Sequence, residues 1–222
     1  MPEPKIRVVV VDDQPLFASG LGMLIDAQGD MECVATAVDG PGAIEVVARE
    51  HPDIVLMDLR MPGMNGIETT RLILATGVAD EKPHVVVLTT LRQDEVVVQA
   101  LAAGASAFLT KDATPDQVLA TIRSVHSGES VPDLAATLAI VADLAGPIVN
   151  TRRAATLDAL SPREREVFLL VARGLTNAEI AEAAWVSEAT VKTHIGAILR
   201  KLELRSRVQV VVFAHQNGLV SV

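Results

Sequence analysis

The chain contains no Tyr, a single Trp and four Phe in 222 residues. Its cores must therefore be packed from Val, Leu, Ile and Ala, and half of the sequence is hydrophobic, so the material is ample. The one cysteine, Cys33, excludes an internal disulfide and fits a reducing cytosol. It lies in an apolar run with Met31 and Val34 and reads as a buried, inert thiol rather than a nucleophile. No apolar stretch reaches the ~18 residues of a membrane-spanning helix. Ile6–Val11 is also too short for the apolar region of a signal peptide. The expectation is a soluble, cytoplasmic protein with no membrane partner. A glycine-rich phosphate loop is missing as well. The first apolar run is followed by Asp12-Asp13-Gln14-Pro15-Leu16, which lacks the glycines of a dinucleotide fingerprint or a P-loop and argues against a nucleotide ligand.

Basic residues are outnumbered, 19 Lys and Arg against 28 Asp and Glu, for a net charge of −9. Taken alone, this argues against a nucleic-acid binder. The average conceals an asymmetry. Residues 1–150 hold nine basic and 21 acidic side chains, net −12, whereas residues 151–222 hold ten and seven, net +3. An acidic front and a mildly basic back indicate two modules with different partners.

Five short β-branched runs stand out in the front: Ile6–Val11, Glu32–Val38, Asp53–Met57, His84–Leu88 and Ala105–Leu109. Segments of helical length, rich in Ala, Leu, Ile and Glu, separate them. Strands alternating with helices imply βαβ units and a parallel sheet. Thr114-Pro115-Asp116-Gln117 offers a Thr N-cap, Pro at N1 and Gln at N3, a capping box. Gly77, Gly104 and Gly128 sit where helices should stop. His51 and His84 flank strands and read as loop residues.

The polar residues fall at the strand ends. Ile6–Val11 runs into Asp12 and Asp13, Asp53–Met57 into Asp58, His84–Leu88 into Thr89 and Thr90, and Ala105–Leu109 through Thr110 into Lys111. Open parallel sheets bind ligands outside the carboxyl ends of their strands. Three carboxylates about 5 Å apart repel by around 3 kcal/mol per pair at an effective dielectric of about 20, so the cluster needs a cation or raised pKa values. Oxygen-only ligands with room for water suit Mg²⁺. Lys111 and Thr89 remain to hold the oxygens of a small phosphoryl group.

Val9-Val10-Val11-Asp12-Asp13, Met57-Asp58-Leu59-Arg60-Met61-Pro62-Gly63-Met64-Asn65-Gly66, Thr89 and Phe108-Leu109-Thr110-Lys111-Asp112 together resemble a CheY-like receiver domain. The resemblance implies a doubly wound α/β fold with a five-stranded parallel sheet in flavodoxin-like order and helices on both faces. It implies that Asp58 is the phosphoacceptor, attacking a phosphohistidine on a partner sensor histidine kinase. Asp13 and Asp58 would be direct Mg²⁺ ligands, Asp12 one linked through water, and the Arg60 backbone carbonyl a further ligand. Thr89 and Lys111 match the groups that bind phosphoryl oxygens, and Phe108 matches an aromatic switch position. On its residues alone, Phe108 serves equally as core filler.

Between Pro132 and Pro147, Leu134, Leu138, Val141 and Ala145 fall on one helical face of Asp133–Gly146. This reads as a linker helix packed on one of the domains, followed by a polar tether over 147–156. Beyond it, helix starts are strongly marked. Ser161-Pro162-Arg163-Glu164 and Thr176-Asn177-Ala178-Glu179 are capping boxes, and Gly174 ends the first helix. Ser187 caps a third helix from Glu188 to about Leu202, giving a helix-turn-helix pattern. Val191, Ile195, Ile198 and Leu202 form its apolar stripe. Thr190, Lys192, Thr193, His194, Gly196, Arg200 and Lys201 form the other side.

Leu160-Ser161-Pro162-Arg163-Glu164, Gly174 to Ala181, Val186 to His194 and Ile198-Leu199-Arg200-Lys201-Leu202 resemble the LuxR-type helix-turn-helix of the NarL/FixJ class. The resemblance implies a small four-helix domain that binds double-stranded DNA. Lys192 and Thr193 would lie in the major groove, with Thr190, His194, Arg200 and Lys201 on or near the backbone. A fourth helix, about Ser206–Asn217, would form a homodimer on activation through Val208, Val211, Val212 and His215. Gly196 stands where relatives place a polar or basic residue. Glu203 replaces a common Gly, leaving the end of the third helix open. Trp185 reads as core in the turn between the two helices. The expected layout is a receiver over 1–127, a linker over 128–156 and a DNA-binding domain over 157–222. Two rival readings fit these residues less well. A phosphohydrolase using Asp58 lacks a second Asp two residues on, and a regulator binding an apolar signal is at odds with the scarce aromatics and charged strand ends.

Overall fold

Ile6–Val11 (β1) has five β-branched residues in six, and all but Arg7 are buried. Such a run has no polar face for solvent, so it suits a parallel strand covered on both sides. The computed structural model describes residues 4–75, 82–90, 94–128 and 157–220. Within them, β1 is joined by β2 (Met31–Ala37), β3 (Ile54–Asp58), β4 (His84–Thr89) and β5 (Ala107–Thr110) in the order β2-β1-β3-β4-β5, every neighbouring pair parallel. Helices α1 (Pro15–Asp26), α2 (Gly40–Glu50), α3 (Gly66–Ala75), α4 (Asp94–Ala102) and α5 (Pro115–Ser127) alternate with the strands. Val9, Val11, Val55 and Val87 pack with α2, α3 and α4, whereas Val8, Val10, Leu56 and Val86 pack with α1 and α5. The period-two alternation of a strand thus feeds two cores from the same residues.

The boundaries differ from the sequence reading in small ways that matter. β3 is shifted by one residue toward its carboxyl end, so it starts at Ile54 and Asp58 is its last member, paired with Leu88 of β4. His84 is not a loop residue. It opens β4, its Nδ1 lies 3.1 Å from Ser106 Oγ, and burial, with His126 nearby, pushes its pKa down. Cys33 is half-buried, and its thiol pKa is raised by burial and by Asp26, as an inert thiol requires. The helix expected over Asp133–Gly146 and the stop at Gly77 lie outside the described residues.

The second unit holds α6 (Pro162–Ala172), α7 (Asn177–Ala184), α8 (Glu188–Lys201) and α9 (Arg207–Gln216). Ser161 and Thr176 form full capping boxes, as does Thr114 in the first unit. Phe168, Ile180, Val191, Ile195 and Ile198 make the core, with Phe168 and Phe213 edge to face at 6.1 Å. Helix α8 stops at Lys201 despite the missing glycine. Glu203 itself takes the left-handed conformation (φ 56°), and Leu204 N donates to Leu199 O at 2.8 Å.

Candidate metal centre and nucleic-acid interface

Register brings the charged strand ends together. Asp12 follows β1, Asp58 ends β3, Thr89 ends β4 opposite Thr110, and Lys111 follows β5. Lys111 Nζ lies 2.6 Å from Asp12 Oδ2 and 2.9 Å from Asp58 Oδ2, and both carboxylates are almost wholly buried. Asp58 Oδ1 accepts the Arg60 amide at 3.2 Å, and Asp12 Oδ1 accepts the Gln14 amide at 2.9 Å. Asp12, Asp13 and Asp58 each offer an oxygen, all within 4.8 Å of one another. Thr89 is buried beside them, and its carbonyl accepts the Lys111 amide at 2.8 Å.

The electrostatics are unbalanced. Burial raises the Asp58 pKa, and Asp12 adds to the effect, while hydrogen bonds from Lys111 and the Arg60 amide oppose it. Burial pulls the Lys111 ammonium down, but its contacts with Asp12 and Asp58 outweigh this and hold its pKa above the ordinary value. One ammonium thus faces three carboxylates. Asp12 Oδ2 is buried and, apart from the ammonium, receives no directed hydrogen bond. A hard cation with oxygen ligands fits this set, as Mg²⁺ does.

Two supporting residues escape the sequence reading. Phe17, on α1, places its ring under Lys111, with Nζ 4.9 Å from the ring centre. Nothing in the pattern of α1 announces a partner on another strand's loop. Gly66 opens α3, and a Cβ there would lie 2.1 Å from the Asp58 carbonyl oxygen. The glycine was visible in the motif, but its role as a clamp on the Asp58 backbone emerges only from the fold. Phe108 is buried in β5 opposite Val87 and belongs to the core on the α3–α4 side.

In the second unit, α7, a tight turn and α8 form the helix-turn-helix. Lys192, Thr193 and Arg200 are exposed on α8, while Thr190 and His194 are half-buried. Thr190 Oγ1 lies 2.9 Å from Ser187 Oγ, and Thr193 Oγ1 donates back to Ala189 O at 3.0 Å. Lys201 Nζ donates to Glu164 Oε2 at 2.6 Å, which ties the end of α8 to the start of α6. The expectation that Trp185 is core is overturned, because the side chain is 93% exposed. Its backbone is left-handed (φ 55°), and Ala184 and Val186 on either side take the inward positions.

Residues 8–123 match the response regulator receiver domain, and residues 158–214 match the bacterial regulatory proteins of the luxR family. The chain is 37% identical over 220 residues to the transcriptional regulatory protein YxjL of Bacillus subtilis (strain 168), covering 99% of this chain and 100% of that one. It is 35% identical to the nitrate/nitrite response regulator protein NarL of Escherichia coli (strain K12), covering 96% of each. The chain belongs to the NarL/FixJ family of response regulators. Among solved structures, a LuxR-family two-component response regulator from Aurantimonas sp. SI85-9A1 matches with a TM-score of 0.55 at 32% identity, covering 61% of this chain and 96% of that one. The regulator is thus a DNA-binding response regulator, and its relatives are transcriptional regulators rather than enzymes. No helix among its described residues is long and apolar enough to cross a membrane.

In this structure the regulator's two units touch. Val208, Val211 and Val212 of α9 are buried in the same cluster as Leu74 of α3 and Leu101 of α4. Arg205 donates to the Leu74 carbonyl at 2.8 Å. A cavity of about 150 Å³ lies between His84, Ser106 and Val125 on the receiver side and Lys192, Gly196 and Leu199 of α8. The three valines expected to dimerise are therefore covered by the receiver here. His215 lies half-buried on the same helix, its pKa lowered by burial.

Proposed function

We propose that the regulator accepts a phosphoryl group on Asp58 from a sensor histidine kinase, dimerises in response, and controls transcription by sequence-specific binding to double-stranded DNA in the cytoplasm. The observation that carries this reading is the buried Asp58 carboxylate at the sheet's edge, held between the Lys111 ammonium and the Arg60 amide. In line with the leaving group, an Asp58 oxygen attacks the phosphorus of a phosphohistidine. A P–O bond forms as the P–N bond breaks, and the imidazole leaves with the electron pair. Lys111 offsets the charge that gathers on the phosphoryl oxygens, and the Thr89 hydroxyl turns toward one of them. Asp12, Asp13, Asp58 and the Arg60 carbonyl would hold Mg²⁺, which when bound supplies further positive charge to those oxygens.

Activation is then a shift between two packings. With Thr89 drawn toward the phosphoryl group, the Phe108 ring fills the space behind it and the surface near α4 changes. Coverage of Val208, Val211 and Val212 by the receiver supports a resting state in which the dimerising face is withheld. Released dimers present two copies of α8 about one DNA turn apart, with Lys192 and Thr193 reading base edges and Thr190, His194, Arg200 and Lys201 at the phosphates. The test compares wild type with Asp58→Ala for DNA affinity and oligomer mass, with and without Mg²⁺ and acetyl phosphate. Wild type alone gains phosphate, dimerises and binds more tightly. Equal responses from the two proteins would refute Asp58 as the switch.

A further inference from the structure

The most exposed large apolar side chain among the described residues is Trp185, in the turn between α7 and α8. Neither packing nor backbone conformation calls for tryptophan at this position. The indole makes no ring contact or hydrogen bond among the described residues, and a left-handed φ of 55° is met more readily by Gly or Asn. The turn is closed by backbone and side-chain hydrogen bonds. Trp185 N donates to the Ala181 and Glu182 carbonyls, Val186 N donates to Ala181 O, and the Arg163 guanidinium donates to the Ala184 carbonyl. A hydrogen-bonded turn therefore holds a bare indole in water, two residues before the Ser187 cap of the helix that the family inserts into the major groove.

We propose that Trp185 belongs to the DNA-binding surface, its ring lying on the sugar–phosphate backbone beside the groove and its Nε1–H donating to a phosphate oxygen. The inference rests on the family's DNA binding and adds a residue outside the polar face of α8. Exposed Glu182 and Glu188 flank the turn, so the local charge does not attract phosphate. A neutral donor with an apolar body can still approach, because it brings one hydrogen bond and a flat surface for a deoxyribose. The receiver leaves this side chain open even while it covers α9.

Trp185 is the chain's only tryptophan and there is no tyrosine, so red-edge excitation reports on this ring alone. The experiment uses the full chain, treated with Mg²⁺ and acetyl phosphate, and a mixed-sequence duplex of about three helical turns at low salt. Binding is followed independently by the anisotropy of labelled DNA. At saturation the indole is expected to become protected from acrylamide quenching. Trp185→Ala is expected to weaken binding about tenfold on every duplex, the loss of one hydrogen bond to a charged oxygen. Its slope of log affinity against log salt should not change, because no cation is removed. Trp185→Phe, which keeps the ring and loses the N–H, should fall between the two. Circular dichroism and oligomer mass confirm that the variants fold. Bound DNA that leaves the ring as quenchable as in the free protein, or a Trp185→Ala variant with wild-type affinity, overturns the proposal. Protection by RNA polymerase in place of DNA overturns it too. Absence of any DNA binding by anisotropy would instead strike the family reading on which it rests.

Discussion

Replacing Lys111 by Ala should make the stability of the receiver depend on Mg²⁺ far more steeply than in wild type. The ammonium contacts two carboxylates that are almost out of water, at 2.6 and 2.9 Å. Removing one partner from a buried ion pair costs about 3–5 kcal/mol, since the remaining charge is left uncompensated. The Lys111 side chain retains 11% of its exposure, and Asp12 and Asp58 keep their amide donors, which places the loss near the low end, about 3 kcal/mol in EDTA. A bound cation can take over the compensation. At a hundredfold excess over the variant's dissociation constant, mass action returns about 2.7 kcal/mol, nearly the whole deficit, whereas wild type, whose ammonium already neutralises the carboxylates, binds the cation more weakly and gains less. Urea unfolding followed by far-ultraviolet circular dichroism, in EDTA and in Mg²⁺, measures both numbers. The raised Lys111 pKa adds a pH signature. A base whose folded pKa lies above its ordinary 10.5 contributes stability in full below that value and loses it as pH rises through the folded one. Wild type and Lys111→Ala should therefore converge at strongly alkaline pH. A variant as stable as wild type in EDTA, or one equally weakened with and without Mg²⁺, would refute the argument that this ammonium balances the cluster.

Three further outcomes are expected. Gly66→Ala puts a methyl 2.1 Å from the Asp58 carbonyl oxygen, so it should cost about 1–3 kcal/mol or more as overpacking and slow phosphate uptake from acetyl phosphate. Wild-type values for both would sink the clamp. Glu203→Gly should raise the melting temperature, because relieving a left-handed non-glycine residue is worth about 1 kcal/mol; a fall would mean that the Glu203 side chain has a packing role. The Glu164 pKa is lowered to about 2 by Lys201 and by the Ser161 amide and hydroxyl. Since a depressed carboxyl pKa contributes stability above its unfolded value, that contribution should vanish as pH falls from about 4.5 to 2. Glu164→Gln should flatten that part of the pH–stability curve, and an unchanged slope would contradict the assignment.

The ends of β1, β3, β4 and β5 were legible in the sequence because each apolar run breaks abruptly into Asp, Thr or Lys. The DNA-binding helices were legible because Ser161, Thr176 and Ser187 cap them in recognisable patterns. What the sequence concealed is non-local. The Phe17 ring meets Lys111 only after β5 is laid beside the sheet, and no spacing along α1 encodes that. Trp185 looked like core because large aromatics usually are. Its neighbours Ala184 and Val186 had already taken the inward places, and a left-handed residue at a helix end turns outward. The valines of α9 read correctly as an apolar face. Their occupation by the receiver depends on how two separately folded units meet, which periodicity within one helix does not carry.

The tight seat of Gly66 against the Asp58 carbonyl bears on the direction in which a signal can leave the site. An acceptor whose main chain is pinned this closely has no room to recoil when its side chain gains a phosphoryl group. The displacement must instead be absorbed by whatever reaches in from the other strands. Under the proposed chemistry those are Thr89 on β4 and Lys111 after β5, and Val87 and Phe108 of the same two strands share a core with α4, which already leans on α9. Under that chemistry the regulator would work like a vice with one fixed jaw, its travel directed to the side where the DNA-binding unit rests.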